Sequence, residues 1–231
     1  MQRDKGWNIT KFPCFSLFFF LHFDLANSPV YLTILNEVKK GNLFLDLGCC
    51  LGQDIRRLVY DGAPSENTFG IELEQQLIEL GYDLFRDRGD LHTKFIAQDF
   101  LEDTSELSQL SGKIRFLNSG YFLHLWDWDG QIRVVKRMIK LLVPEAGALI
   151  TGVSYGSLSP GEWALNPHGG RPMFVHDNHT FSRMWDQIGS ETNTKWEVCS
   201  ELEVVHGIDG IDDMKKDGHS GRLQRWVVER L

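Results

Sequence analysis

Short apolar runs alternate with amphipathic stretches along the middle of the chain, and each change of period marks a change of element. Residues 43–47, Leu-Phe-Leu-Asp-Leu, form an almost continuous apolar run ending at a glycine, the pattern of a strand buried on both faces. Ile55, Leu58 and Val59 then recur at helical spacing, so a helix is predicted over 51–60, stopped by Asp61-Gly62-Ala63-Pro64. A strand is predicted over 68–73, followed by a helix over 74–86 whose Leu77, Ile78, Leu80, Leu84 and Phe85 make a broad apolar stripe. The same alternation predicts a strand at 94–97, a short helix at 104–110 capped by Asp103 or Thr104, and a strand at 114–118. A helix at 131–143, closed by Pro144, and a strand at 148–153 complete it.

Five strand–helix units in a row imply a parallel sheet with helices on both faces and right-handed crossovers. Beyond residue 153 the pattern changes. Residues 154–177 are rich in Gly, Pro, Ser and His and read as a long irregular loop of the kind that carries function. A last helix is expected at 180–188, then two strands at 196–205 and 223–231 that pair antiparallel across a loop at 207–221. No repeat with a period of 20–50 residues is present, which excludes a solenoid or propeller.

A length of 231 residues suits one α/β domain with attachments. With 24 basic and 32 acidic side chains the net charge is −8, which argues against a polyanion binder, so nucleic acid is not expected as a partner. The cysteines Cys14, Cys49, Cys50 and Cys199 include no C-x-x-C pair, so neither a disulfide framework nor a zinc module is spelled, and a reducing, cytoplasmic setting fits. Residues 12–23, FPCFSLFFFLHF, follow Arg3 and Lys5 and imitate a signal peptide. They fall short of the ~20 apolar residues a membrane span needs. Asp24-Leu25-Ala26-Asn27 offers no A-x-A cleavage pattern either, so an aromatic flap covering a pocket is expected instead.

The candidate chemistry begins at Asp46-Leu47-Gly48-Cys49-Cys50-Leu51-Gly52, where a strand gives way to a helix and a doubly wound sheet opens its crevice. A dinucleotide fingerprint needs G-x-G-x-x-G, but counting from Gly48 the later glycine positions hold Cys50 and Gln53. No Lys and Ser/Thr follow Gly52, so a P-loop is excluded as well, which leaves a ligand with a ribose and no phosphate. Glu72 lies 24 residues after Gly48, near the ~20-residue spacing at which a carboxylate meets ribose hydroxyls. Gln98-Asp99-Phe100 offers an acceptor, a backbone N–H and an aromatic face, the three things an adenine requires. Asp46 either caps the turn or faces an amino group, which S-adenosylmethionine has and a nicotinamide lacks.

Other chemistry-bearing residues read more blandly. Cys49 and Cys50 have no neighbouring histidine and are expected as small buried hydrophobes, not nucleophiles. His176 and His179 lack a third ligand of evident spacing and sit where helix caps are expected, so no metal site is assigned. His124 is either a packed histidine or a substrate contact and general base. Phe18, Phe19, Phe20, Tyr121, Phe122, Trp126 and Trp163, core or lid residues individually, together predict an apolar substrate pocket.

FLDLGCCLGQD, FGIELE, FIAQDF and FLNSGYFLHLWDWDGQ, in that order over about residues 41–153, resemble motifs I to IV of the class I S-adenosylmethionine-dependent methyltransferases. The flanks FPCFSLFFFLHFDLANSPVYLTIL, WDQIGSETNTKW and RWVVERL narrow the resemblance to small fungal methyltransferases of meroterpenoid and polyketide pathways. The resemblance implies a Rossmann-like α/β fold: a seven-stranded, mostly parallel sheet with a C-terminal antiparallel hairpin and an N-terminal cap. It divides the chain into a cap at 1–40, a donor-binding core at 41–153, and a substrate-side loop, last helix and hairpin at 154–231. It also implies S-adenosyl-L-methionine bound by Asp46, Gly48, Gly52, Glu72, Leu73, Gln98, Asp99 and Phe100, with Asn118 lining the methionine end and His124 on the substrate side. The implied acceptor is a small apolar molecule methylated on a carboxyl or hydroxyl oxygen, and a homodimer is common in such enzymes. Two departures stand out: Cys50 occupies a position where motif I usually carries glycine, and residues 1–10 stand where the family has a longer cap.

In-line methyl displacement mainly requires alignment and exclusion of water, so no covalent residue is needed. A carboxylate acceptor is ionised at pH 7, which makes even a general base optional. Two alternatives remain at the level of sequence: a cyclase or isomerase on the same fold, and an inactive cofactor-binding remnant.

Overall fold

The computed structural model describes residues 2–11, 15, 18–163, 172–204 and 221–231. Nine strands are described: β1 (Leu43–Leu47), β2 (Thr68–Glu72), β3 (Lys94–Ala97), β4 (Ile114–Gly120), β5 (Leu149–Ser157), β6 (Gly161–Trp163), β7 (Met173–Val175), β8 (Trp196–Glu203) and β9 (Gly221–Arg230). The described helices are α1 (Gln2–Ile9), α2 (Tyr31–Lys39), α3 (Gln53–Tyr60), α4 (Gln75–Phe85), α5 (Ser105–Ser108), α6 (Trp128–Leu141) and α7 (Asn178–Thr192). Seven strands form one sheet in the order β3-β2-β1-β4-β5-β9-β8. The first five are parallel, β9 runs antiparallel to β5, and β8 antiparallel to β9. Connections run outward from β1 to β2 and β3, then return to β4 and β5 on the other side, so the topological switch point falls between β1 and β4.

Alternation along β1 sends its side chains to two different cores. Phe44 packs with Phe116, Leu149 and the apolar stripes of α2 and α3. Leu45 and Leu47 point to the opposite face, into the larger core of α6 and α7, with Val134, Val135, Met138, Phe181 and Trp185. Each such buried side chain contributes roughly 1.5–3 kcal/mol, and the strand lies buried on both faces as its almost continuous apolar run implied.

Several boundaries differ from the sequence expectation for local reasons. α3 begins at Gln53, not Leu51, because Gly52 takes a left-handed φ of 69° and the turn must finish first. α6 begins earlier than expected, at Trp128, because the Asp127 carboxylate accepts the Gly130 N–H at 2.7 Å and caps it. α7 likewise starts at Asn178 through a capping box between Asp177 and Thr180. The stretch at 154–177 is not wholly irregular: β5 continues to Ser157, and β6 and β7 pair as a small separate sheet. Trp163, Met173 and Val175 bury together there, an apolar face that the surrounding Gly and Pro disguise in the sequence. The expected loop at 207–221 lies outside the described residues except for its last residue, as do Val205, 164–171 in the substrate-side loop, and 12–14 and 16–17 of the aromatic flap.

The N-terminal segment packs on the turn after β1. Phe15 and Phe20 are buried with Leu51, Leu77 and Leu80, and Cys50 packs against that cluster. Leu25 joins the core under α2 and α3. Among the described residues no helix is long and apolar enough to cross a membrane.

Candidate functional site

The switch point places the C-terminal ends of β1, β2 and β4 around one crevice. Its floor is the turn from Gly48 to Gly52, with left-handed φ values of 71° at Gly48, 51° at Cys50 and 69° at Gly52. Gly48 N–H and Cys49 N–H both donate to the Ile71 carbonyl, at 2.9 and 3.0 Å, tying the turn to β2. A Cβ on Gly48 would stand 2.7 Å from the Phe122 ring, so both φ and close approach require glycine there. Cys50 holds the same conformation with a side chain, at a cost of about 1–2 kcal/mol.

Two carboxylates rise from this floor. Glu72, at the end of β2, accepts Cys50 N–H on Oε2 at 2.9 Å and Glu74 N–H on Oε1 at 3.2 Å. A carboxylate offers about four acceptor sites, so these two bonds leave it able to receive more donors. Burial pushes its pKa up, partly offset by those N–H groups. Asp46 on β1 is buried and accepts the Asn118 amide of β4 at 2.8 Å. Burial raises its pKa to about 7 against the lowering effect of Asn118, and the nearby Glu72 charge adds to the rise. It does not cap the turn.

The remaining predicted residues spread along the same edge. Leu73 is exposed immediately after Glu72. Gln98 follows β3 and is bonded to Glu72 through the backbone, its N–H reaching the Glu72 carbonyl at 2.9 Å. Its Oε1 accepts the Thr104 hydroxyl at 2.5 Å. The Asp99 carboxylate accepts Leu101 N–H at 2.8 Å. Phe100 is buried edge-on to Phe122, with ring centroids 6.3 Å apart.

His124 stands apart from these carboxylates, on the β5 side of the crevice. It is buried, its ring lies 4.4 Å from that of Tyr155 and 6.5 Å from that of Tyr121, and its Nδ1 accepts Tyr155 N–H at 3.4 Å. Tyr121, held at a φ of 52°, also stacks on Phe19 of the N-terminal segment at 5.4 Å. The expected set of aromatics is thus partly assembled here, where β4 and β5 end.

Sequence reasoning missed three groups. Asp54, buried at the start of α3, accepts Leu25 N–H at 3.1 Å and so fastens the N-terminal segment to the turn. In the sequence it looks like an ordinary acid at a helix start. Asp24 and Arg225 were also passed over. Arg225 of β9 donates to the Asp24 carbonyl at 3.3 Å and to Glu203 at 3.0 Å. With Leu25, Ser28, Asn118, Thr151 and Val153 they line a small cavity between the N-terminal segment and strands β4 and β5.

No family model matches the chain. The chain is 38% identical over 204 residues to O-methyltransferase phiE of Fungal sp. (strain ATCC 74256), covering 87% of this chain and 68% of that protein. It is 39% identical over 214 residues to Asnovolin E/Chermesin D methyltransferase nvfJ of Aspergillus novofumigatus, covering 90% and 77%. The chain belongs to the S-adenosylmethionine-dependent methyltransferases of fungal secondary metabolism. Solved structures give the methyltransferase the matching Rossmann-like class I fold. One is a putative sarcosine dimethylglycine methyltransferase from Galdieria sulphuraria, with a TM-score of 0.64, 12% identity, and coverage of 89% of this chain and 82% of that one. Another is geranyl diphosphate C-methyltransferase from Streptomyces coelicolor A3(2), solved with Mg2+, geranyl diphosphate and S-adenosyl-L-homocysteine, with a TM-score of 0.56, 13% identity, and coverage of 82% and 71%. The chain is accordingly a methyltransferase.

Proposed function

We propose that the enzyme transfers the methyl group of S-adenosyl-L-methionine to a carboxyl or hydroxyl oxygen of a small apolar metabolite. The observation that carries the donor half is the pair of buried carboxylates, Asp46 and Glu72, beside a turn of left-handed residues at the switch point. Such a site fits a ligand with a ribose and a positive charge: Glu72 retains acceptor capacity for hydroxyls, and Asp46 is a buried anion that a cation would relieve. On this reading the backbone of the Gly48–Gly52 turn faces the ligand while Phe122 and Arg56 pack where side chains on Gly48 and Gly52 would stand. Leu73 and Phe100 flank the adenine, Gln98 and Asp99 read its edge, and Asn118 lines the methionine end.

When bound, the donor would supply a sulfonium methyl group to the acceptor oxygen, the electron pair of the carbon–sulfur bond staying on sulfur; a carboxylate acceptor is already ionised, and a hydroxyl acceptor gives up its proton to water. The chain's own work is alignment and exclusion of water. Tyr121, Tyr155 and Phe19 form the apolar wall on the acceptor side, and His124 is held behind them as a substrate-side contact. The N-terminal segment acts as the cap over this space, fastened by Leu25 to Asp54. The oxygen target draws support from the name of O-methyltransferase phiE. The terpenoid-like acceptor and the homodimer are carried by the family resemblance alone.

The test is incubation of the enzyme with trideuteromethyl-labelled donor and a panel of apolar carboxylic acids and phenols, followed by mass spectrometry. A gain of one CD3 in place of hydrogen, lost again on ester hydrolysis for an acid or retained as an ether for a phenol, supports the reading. A methyl group found on carbon, or no product from any acceptor, counts against it.

A further inference from the structure

Arg56, at the end of the first turn of α3, is buried although no step of the proposed reaction uses it. A buried guanidinium is costly unless its donors are met, and here they are met in two groups. Nε and Nη2 form a fork on the two oxygens of Asp87, at 2.6 and 3.1 Å. Nη1 reaches the other way and donates to the carbonyls of Leu51 at 2.5 Å and Gly52 at 3.3 Å. Phe85, Tyr82 and Phe95 surround the cation, with ring centroids 4.6, 5.3 and 5.6 Å away.

The turn is fitted closely around this group. A Cβ on Gly52 would lie 2.7 Å from Nη1, and one on Gly81 of α4 would lie 2.4 Å from the Leu51 carbonyl oxygen. The Leu51 carbonyl is therefore gripped between Arg56 and the backbone of α4. On the crevice side of the same turn, Cys50 N–H is bonded to Glu72. Residues 50–52 are thus held from beneath by a cation on two carbonyls and from above by a carboxylate on an N–H. A simple staple between α3 and the chain at Asp87 would need only the fork. The third nitrogen, spent on the turn, goes beyond that need.

We propose that Arg56 is a positioning residue for methyl-donor binding, acting through the 50–52 turn on the Glu72 carboxylate without touching the donor itself. This rests on the reading of the crevice as the donor site. Lysine at this position keeps the charge but has no fork that can serve Asp87 and both carbonyls together.

The experiment is a double-mutant cycle on the affinity for S-adenosylhomocysteine, measured by calorimetry alongside Tm for the wild type, Arg56→Lys, Glu72→Gln and the double variant. Each single variant is expected to weaken binding about tenfold, and the double variant by little more than either alone, because both remove the same arrangement. A double variant weakened about a hundredfold, or a folded Arg56→Lys within twofold of wild type, overturns the proposal. If Arg56→Lys does not fold, Asp87→Asn takes its place: it releases the fork while leaving the cation, and unchanged affinity in that variant is equally fatal. A wild-type enzyme that binds neither S-adenosylhomocysteine nor S-adenosylmethionine removes the donor reading, and with it this one. A wild type weakened by Glu72→Gln alone removes only the role of Arg56.

Discussion

The Asn118 amide of β4 donates to the Asp46 carboxylate of β1 across 2.8 Å, at the junction where the sheet changes winding direction. The bond aims an acid into the crevice and keeps it there without a cation. Asp46→Asn is therefore expected to bind the donor poorly, losing the buried charge, yet to be more stable than wild type in the absence of ligand. Tenfold in an acid constant is worth about 1.4 kcal/mol, so the burial penalty relieved is on the order of 2–4 kcal/mol at pH 8. Thermal unfolding at pH 8 and pH 5 checks this. The gain should be large at pH 8 and small at pH 5, because a raised carboxylate pKa costs stability only as pH rises from its ordinary value towards about 7.

Donor affinity should follow the same group. A cationic donor pairs with the ionised form of Asp46, whose pKa stands at about 7, so binding is expected to weaken up to tenfold for each pH unit below that value and to level off above it. Calorimetry with S-adenosylhomocysteine, which keeps the ammonium group, across pH 5.5–8.5 reads it directly. A flat profile would exclude Asp46 from contact with the ammonium.

Cys50 carries a left-handed φ of 51° and packs against the cluster formed by Phe15, Phe20, Leu51, Leu77 and Leu80. Cys50→Gly should relax about 1 kcal/mol of backbone strain and keep or raise donor affinity, since glycine is at home in that conformation. The same change removes a contact of the N-terminal segment, so limited proteolysis before residue 27 is expected to quicken. Loss of turnover with binding and folding intact would instead give the thiol a chemical part.

Phe19 stacks on Tyr121 at 5.4 Å and joins the N-terminal segment to the acceptor side. Phe19→Ala should raise the acceptor KM about tenfold while donor affinity changes less than twofold. Equal losses for both ligands would mean that the segment stabilises the whole fold and has no particular part in acceptor binding.

The sheet was legible because its central strands are buried on both faces, which leaves Leu43, Phe44, Leu45 and Leu47 apolar around the single acid Asp46. The strand-end acids were legible because spacing from the glycine turn constrains them. Arg56 and Asp54 were not, since a basic and an acidic residue on an amphipathic helix read as solvated. Their burial follows from contacts with residues 87 and 25, far along the chain. His176 shows the converse: beside His179 it invites a metal reading, yet it is buried between Gln131 and Thr180, and burial drives its pKa to about 3, a neutral core histidine. The β6–β7 pair was hidden because three-residue strands carry too little period to register.

The central claim is that a methyl donor binds at the ends of β1, β2 and β4, and calorimetry of S-adenosylmethionine with the wild type and Glu72→Ala tests it most directly. The expected result is micromolar binding by the wild type, weakened in the variant by roughly 1.5–3 kcal/mol, the worth of hydrogen bonds to a charged group. Equal affinity in the two proteins, with both folded, would contradict it.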